Sequence, residues 1–217
     1  MPGRDDMRRR VGRPVRGAAV LLAVAVLLPA CSARGTVEST AWEHIRSTAR
    51  HAPQLQRWPA GTELVVEVAG LNDRDVAAVF RAFDAWLAEA RTPVRARRAQ
   101  PDEAANVIIR GVDEVDAGRE AMGVTRLDWE GPWLVAAEVE LARSTRCGSF
   151  LSSTERRRTL LHEIGHVLGL GHSPRLSSIM HRDAPGASVD DRDRAALELL
   201  YDLAPRVAVT ATAPDIE

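Results

Sequence analysis

Residues 162–172 read His-Glu-Ile-Gly-His-Val-Leu-Gly-Leu-Gly-His, and this stretch limits the fold more tightly than any other. Histidines four apart on a helix share a face, about one turn apart, so His162 and His166 can address one ion. A helix running on past Gly169 would carry His172 away from that ion. Glycine at 169 can take positive φ, end the helix and turn the chain back, which brings His172 in as a third ligand; Gly171 adds backbone freedom. Neutral imidazole suits zinc, and catalytic zinc sites take three protein ligands and leave one position open. Glu163 is placed to meet a water at that position rather than the ion. The spacing points to one catalytic Zn2+ on His162, His166 and His172. Glu163 is then the general base in peptide-bond hydrolysis through a zinc-activated water. A bare HExxH is common by chance; the glycine and third histidine at these offsets make coincidence remote.

The 217-residue chain has room for one domain with appendages. Charged residues make up 27% and nearly cancel to a net charge of -1. That balance excludes a nucleic-acid footprint and leaves no like-charge block for an acidic partner. Every basic side chain is arginine.

Arg8, Arg9, Arg10, Arg13 and Arg16 precede an almost wholly apolar run, residues 18–30. Such a run is too short for a bilayer core of ~30 Å and has the shape of a signal peptide. Leu28-Pro29-Ala30-Cys31 resembles the lipobox of bacterial lipoproteins. That resemblance implies cleavage before Cys31, lipidation of Cys31 and a membrane-held protein exported to the cell envelope. Ordinary secretion is the alternative. The expected organisation is a signal peptide over 1–30, a lipidated N-terminus and tether over 31–61, a catalytic domain over 62–203 and a flexible tail over 204–217. Within the tether a short helical turn is expected near Ala41 to Arg50, with His44 and His51 exposed.

From Thr62 the pattern sharpens. Residues 64–68 and 107–112 are rich in β-branched side chains and read as strands. Residues 121–127 and 133–141 read as two more, around the turn Glu130-Gly131-Pro132. Val76, Val79, Phe80, Phe83, Trp86 and Leu87 recur at helical spacing over 73–90. Ser152 with Glu155 forms a capping box for the helix that carries His162, and a last helix covers about 190–203. The fold class is α+β.

The 162–172 segment, followed by Ser178-Ile179-Met180, resembles the metzincin zinc peptidases, whose signature is HExxHxxGxxH and then a methionine turn. Ser173 after the third histidine, and Asp193, Ala196, Leu197, Leu200 and Tyr201 near the end, resemble the matrixin branch. Arg182 stands where the astacin and serralysin branches carry a tyrosine. The resemblance implies a zincin domain: a twisted, mostly parallel sheet with an antiparallel edge strand, an active-site helix, a Met-turn and a C-terminal helix. It implies Met180 as a floor beneath the metal. It also implies a peptide or protein substrate laid along an edge strand, with Met122, Gly123 and Val124 nearest the site.

The sequence departs from animal matrixins in three places. Asp113 to Glu120 is short and lacks histidine, so no second zinc is expected; Asp113, Glu114 and Asp116 are expected as a solvated acidic turn rather than a calcium site. No latch cysteine follows Cys31 before the domain, and Arg146-Cys147-Gly148 resembles a latch only superficially. His181 is expected to be a surface or pocket residue. A monomer is expected. Two other readings are a metal-holding envelope lipoprotein without turnover, and a structural lipoprotein without metal. The intact Glu163 disfavours the first and the three-histidine spacing the second.

Overall fold

The computed structural model describes residues 28–49, 55–115, 121–144, 151–183 and 186–204, with side chains from Thr36 onward. Expectations for residues 1–27, His51, Asp116, Cys147, the Cys31 side chain and the tail after 204 lie outside the described residues.

Among the described residues nine elements follow one another: α1 (Leu28–Ala49), β1 (Glu63–Ala69), α2 (Asp73–Leu87), β2 (Arg95–Arg98), β3 (Val107–Val112), β4 (Gly123–Glu130), β5 (Trp133–Ala142), α3 (Ser153–Val167) and α4 (Asp191–Asp202). The strands form one sheet in the order β2-β1-β3-β5-β4. β1 runs parallel to β2 and β3, and β3 parallel to β5. β4 is antiparallel to β5 and forms an edge. This is the expected α+β architecture, a mostly parallel sheet with one antiparallel edge strand.

Strand residues alternate in environment, as period-two side chains must. Leu64, Val66, Val107, Ile109, Ala137 and Val139 are buried, and the registers Val66↔Val107, Val107↔Ala137 and Ile109↔Val139 put them on one face. Arg126 and Glu140 pair at 3.0 Å across the other face. α2 and α3 share the core with the buried face through Val79, Phe83, Trp86, Leu160, Leu161 and Ile164. Two buried indoles tie helix and core together. Trp86 Nε1 donates to the Leu161 carbonyl at 2.8 Å, and Trp58 Nε1 donates to the Val167 carbonyl at 2.7 Å. The second bond satisfies a carbonyl that the end of α3 would otherwise leave without a helical partner.

Two expectations change in the N-terminal part. The helical turn near Ala41 is part of a helix of 22 residues, and that helix packs against α4. His44 is 2% exposed rather than on the surface. Ala41, Ile45 and Trp58 also lie in the core, so this part of the expected 31–61 tether is built into the domain. The strand β2, with the sequence Arg-Ala-Arg-Arg, was not expected. It is held by parallel pairing to β1 and by Arg97, which bonds Glu63 at 2.8 Å and Glu103 at 2.6 Å. Among the described residues no helix is long and apolar enough to cross a membrane.

Candidate metal centre

α3 opens on the expected capping box, with Ser152 and Glu155 each bonding the other's backbone. It ends two residues before the glycine that turns the chain. Gly169 has φ +99, the left-handed region where a side chain is strained. Its amide bonds the His166 carbonyl at 2.9 Å, and the Leu170 amide bonds the Gly165 carbonyl at 3.0 Å. These are the two closing bonds of a Schellman cap. The reversal occurs as expected, at Gly169. Gly171 differs: it has no positive φ. Its need for glycine is space, because a Cβ there would lie 2.8 Å from the Thr48 Cα.

The reversal brings His162, His166 and His172 together. One nitrogen from each lies within 4.8 Å of the others. Nδ1 of His162 meets the Ile179 carbonyl at 2.7 Å, and Nδ1 of His166 meets the Leu170 carbonyl at 2.7 Å. A carbonyl only accepts, so both Nδ1 atoms carry the proton and both Nε2 atoms present lone pairs. Those two Nε2 atoms stand 3.1 Å apart. Two lone pairs facing at that distance repel unless a cation lies between them. Nitrogens about 2.0–2.1 Å from one tetrahedral zinc are ~3.3 Å apart, close to the spacing found. The donor set therefore fits zinc. Burial, with the neighbouring His162 and His172, pushes His166 down to about 3, and burial also lowers His162; both are held in the neutral, ligating form.

Glu163 is 5% exposed, and burial pushes its carboxyl up to about 7. The hydroxyl of Thr125 works against this by donating to Oε2 at 2.7 Å. Thr125 stands on β4, so the edge strand and the carboxylate are directly joined. Gly123, the first residue of β4, also lies against the carboxylate: a Cβ there would sit 2.7 Å from Glu163 Oε1 and 2.7 Å from Thr159 Cγ2. Of the three cleft residues expected from the sequence, Gly123 thus borders Glu163. Val124 follows it on the strand, paired with Glu140. Met122 precedes the strand, and its carbonyl accepts from the Ala142 amide at 2.9 Å.

Met180 is fully buried below α3. A Cβ on Gly165 would lie 2.2 Å from its Sδ, so the bare helix face at Gly165 is what lets the methionine turn come this close. The turn is fastened to α4. Asp193 Oδ2 accepts from the Ile179 amide at 3.2 Å, and Asp193 Oδ1 accepts from Ser178 Oγ and from Arg175 at 2.8 Å. Ser173 and Met180 join through a 2.9 Å backbone bond. Arg182 is exposed. Thr125 and Arg175 were not singled out by sequence, and Ser178 was read only as part of the methionine turn. Their signal is a polar residue facing a buried partner more than a dozen residues away, which only the fold reveals.

Residues 112–202 match the family model described as Matrixin. The matched span runs from the end of β3 to the end of α4 and holds all three histidines, Glu163, Thr125 and Met180. No curated protein matches the sequence. Among solved structures, the chain is similar to myroilysin, at 14% identity and a TM-score of 0.49, covering 69% of this chain and 97% of that one. It is also similar to high choriolytic enzyme 1, a hatching enzyme zinc-protease from Oryzias latipes (Medaka fish). That match has 15% identity and a TM-score of 0.43, and covers 67% of this chain and 94% of that one.

Proposed function

We propose that the protein is a zinc-dependent endopeptidase whose ion is held by His162, His166 and His172, with Glu163 as general base. The observation that carries this reading is the facing pair of lone-pair nitrogens on His162 and His166, with His172 beside them and a buried carboxylate adjacent. The matrixin match over the same residues supports it.

When bound, zinc supplies Lewis acidity towards water and towards a carbonyl oxygen. The chain's own residues do the rest. Glu163 takes the proton of the attacking water on its carboxylate and passes it to the leaving amine. Thr125 Oγ1 holds that carboxylate from one side. The outer edge of β4, the last strand of the sheet among the described residues, offers backbone groups to an extended peptide, which would add as a further strand. Its first residue, Gly123, would lie beside the base. Met180 packs under the helix that bears the first two histidines and fixes its height. Water exclusion follows from the burial of Glu163 and His162.

Cys31 carries lipid, and the catalytic domain stands outside the cytoplasm on the envelope membrane. Its substrate is a peptide or protein, and the chain acts as a monomer. A Cys31→Ala variant is expected to leave the membrane fraction, and continued membrane retention would contradict the lipid anchor. Metal content tests the centre itself. The wild-type chain is expected to hold one zinc and His166→Ala none; equal zinc in both would contradict the ligand assignment.

A further inference from the structure

Two side chains one turn apart on α1 close on both backbone groups of Gly171, the residue before His172. His44 Nε2 donates to the Gly171 carbonyl at 2.8 Å. The Gly171 amide donates to Thr48 Oγ1 at 2.9 Å. The Thr48 hydroxyl spends its own proton on the His44 carbonyl at 3.1 Å, so the two grips are tied to each other. Both side chains are buried, at 2% and 6% exposure. They reach this peptide from 127 and 123 residues away in sequence.

The two backbones approach closely. A Cβ on Gly171 would lie 2.8 Å from the Thr48 Cα, 3.1 Å from its Oγ1 and 3.2 Å from its Cβ. Helix packing alone does not call for this. Around them α1 presents Ala41 and Ile45 to the core, and an apolar residue at 44 or 48 would pack there without the cost of burying a polar group. Both members of this polar pair are instead used on Gly171.

His162 and His166 are fixed through their own Nδ1 atoms by carbonyls of Ile179 and Leu170. The loop that carries His172 is fixed through its backbone by α1. We propose that α1 is a positioning element for the third zinc ligand: His44 and Thr48 pin the Gly171 peptide and so set the place from which His172 presents its imidazole. This rests on the zinc reading above. It makes an N-terminal helix outside the matrixin-matched span, residues 112–202, a working part of the metal centre.

The test uses the full chain with four substitutions. Thr48→Val and His44→Leu remove the grips at similar shape; Thr48→Ser and His44→Gln keep a hydroxyl and an N–H donor. Zinc affinity is read by chelator competition and ligand geometry by the visible spectrum of the cobalt-substituted protein. Outer partners of ligands are typically worth ~10- to 100-fold in metal affinity. That loss, with an altered cobalt spectrum, is expected for the Val and Leu variants, with recovery in the Ser and Gln variants. Gly171→Ala, which forces Thr48 away, replaces either variant that does not fold and is expected to alter the spectrum likewise. Val and Leu variants with wild-type affinity and spectrum would overturn the inference. So would a fall in thermal stability alone, or equal losses in the conservative pair. A wild-type chain that binds no zinc overturns the zinc reading, and this inference with it.

Discussion

Asp193 and His162 hold the same residue by opposite ends. The Asp193 carboxylate accepts from the Ile179 amide at 3.2 Å, and the Ile179 carbonyl faces His162 Nδ1 at 2.7 Å. A carboxylate in the first turn of α4 is thereby linked, through one residue of the methionine turn, to the orientation of a candidate zinc ligand. Asp193 is 0% exposed and also binds Ser178 and Arg175.

Asp193→Asn removes the charge from this junction while keeping its shape. Cutting one partner from a buried charged network costs about 3 kcal/mol. A loss of that size in urea unfolding of the zinc-free protein is expected, together with weaker zinc retention under chelator. Unchanged stability and zinc retention would mean that the Met-turn does not depend on α4.

Glu163→Gln should keep the zinc and lose the chemistry. A positioned general base contributes typically ~10²–10⁴ in rate, so peptide hydrolysis should fall by that factor while zinc content stays at the wild-type level. Activity surviving in this variant would show that Glu163 is not the base.

Gly123→Ala tests the join between β4 and the base. The new Cβ would lie 2.7 Å from Glu163 Oε1, so the carboxylate must move. Small misplacements of a reacting group cost up to ~100-fold. A lower kcat at unchanged zinc affinity is expected. An unaltered kcat would separate the edge strand from the chemistry.

His44 gives a pH signature. Burial above all pushes its imidazole down to about 4, with the Gly171 carbonyl acting in the opposite sense. In the unfolded chain it returns to about 6.5. The unfolded state therefore binds the extra proton first as pH falls. This group's destabilising effect is absent above about 6.5, grows as pH drops towards about 4, and is worth at most about 3 kcal/mol. Urea midpoints of the zinc-free protein at pH 7 and pH 5 should differ more in wild type than in His44→Gln. Equal slopes would contradict the buried neutral His44.

What the sequence made legible was local. The spacing from His162 to His172, the left-handed turn at Gly169 and the Ser152–Glu155 cap each depend on neighbours a few residues away, and all three stand in the structure. The longer β-branched runs became strands for the same reason, and β3 has the expected ends. What escaped was set at a distance. β2 is arginine-rich with no apolar alternation, and it exists because β1 and Arg97's acidic partners hold it. α1 faces the core with Ala41, His44, Ile45 and Thr48, a stripe with one large apolar residue, so its periodicity gave no sign of burial. β4 runs to Glu130 because Gly131, at φ +59, completes a tight turn. Thr125 and Asp193 gained their roles only when folding set them against Glu163 and the methionine turn.

Zinc-dependent cleavage of internal peptide bonds is tested most directly by exposing a peptide library to the zinc-loaded chain, with chelator added and zinc then restored. Cuts within peptides that stop on chelation and return with zinc are expected. No cleavage by a fully zinc-loaded chain, or cleavage that persists after the zinc is removed, would contradict it.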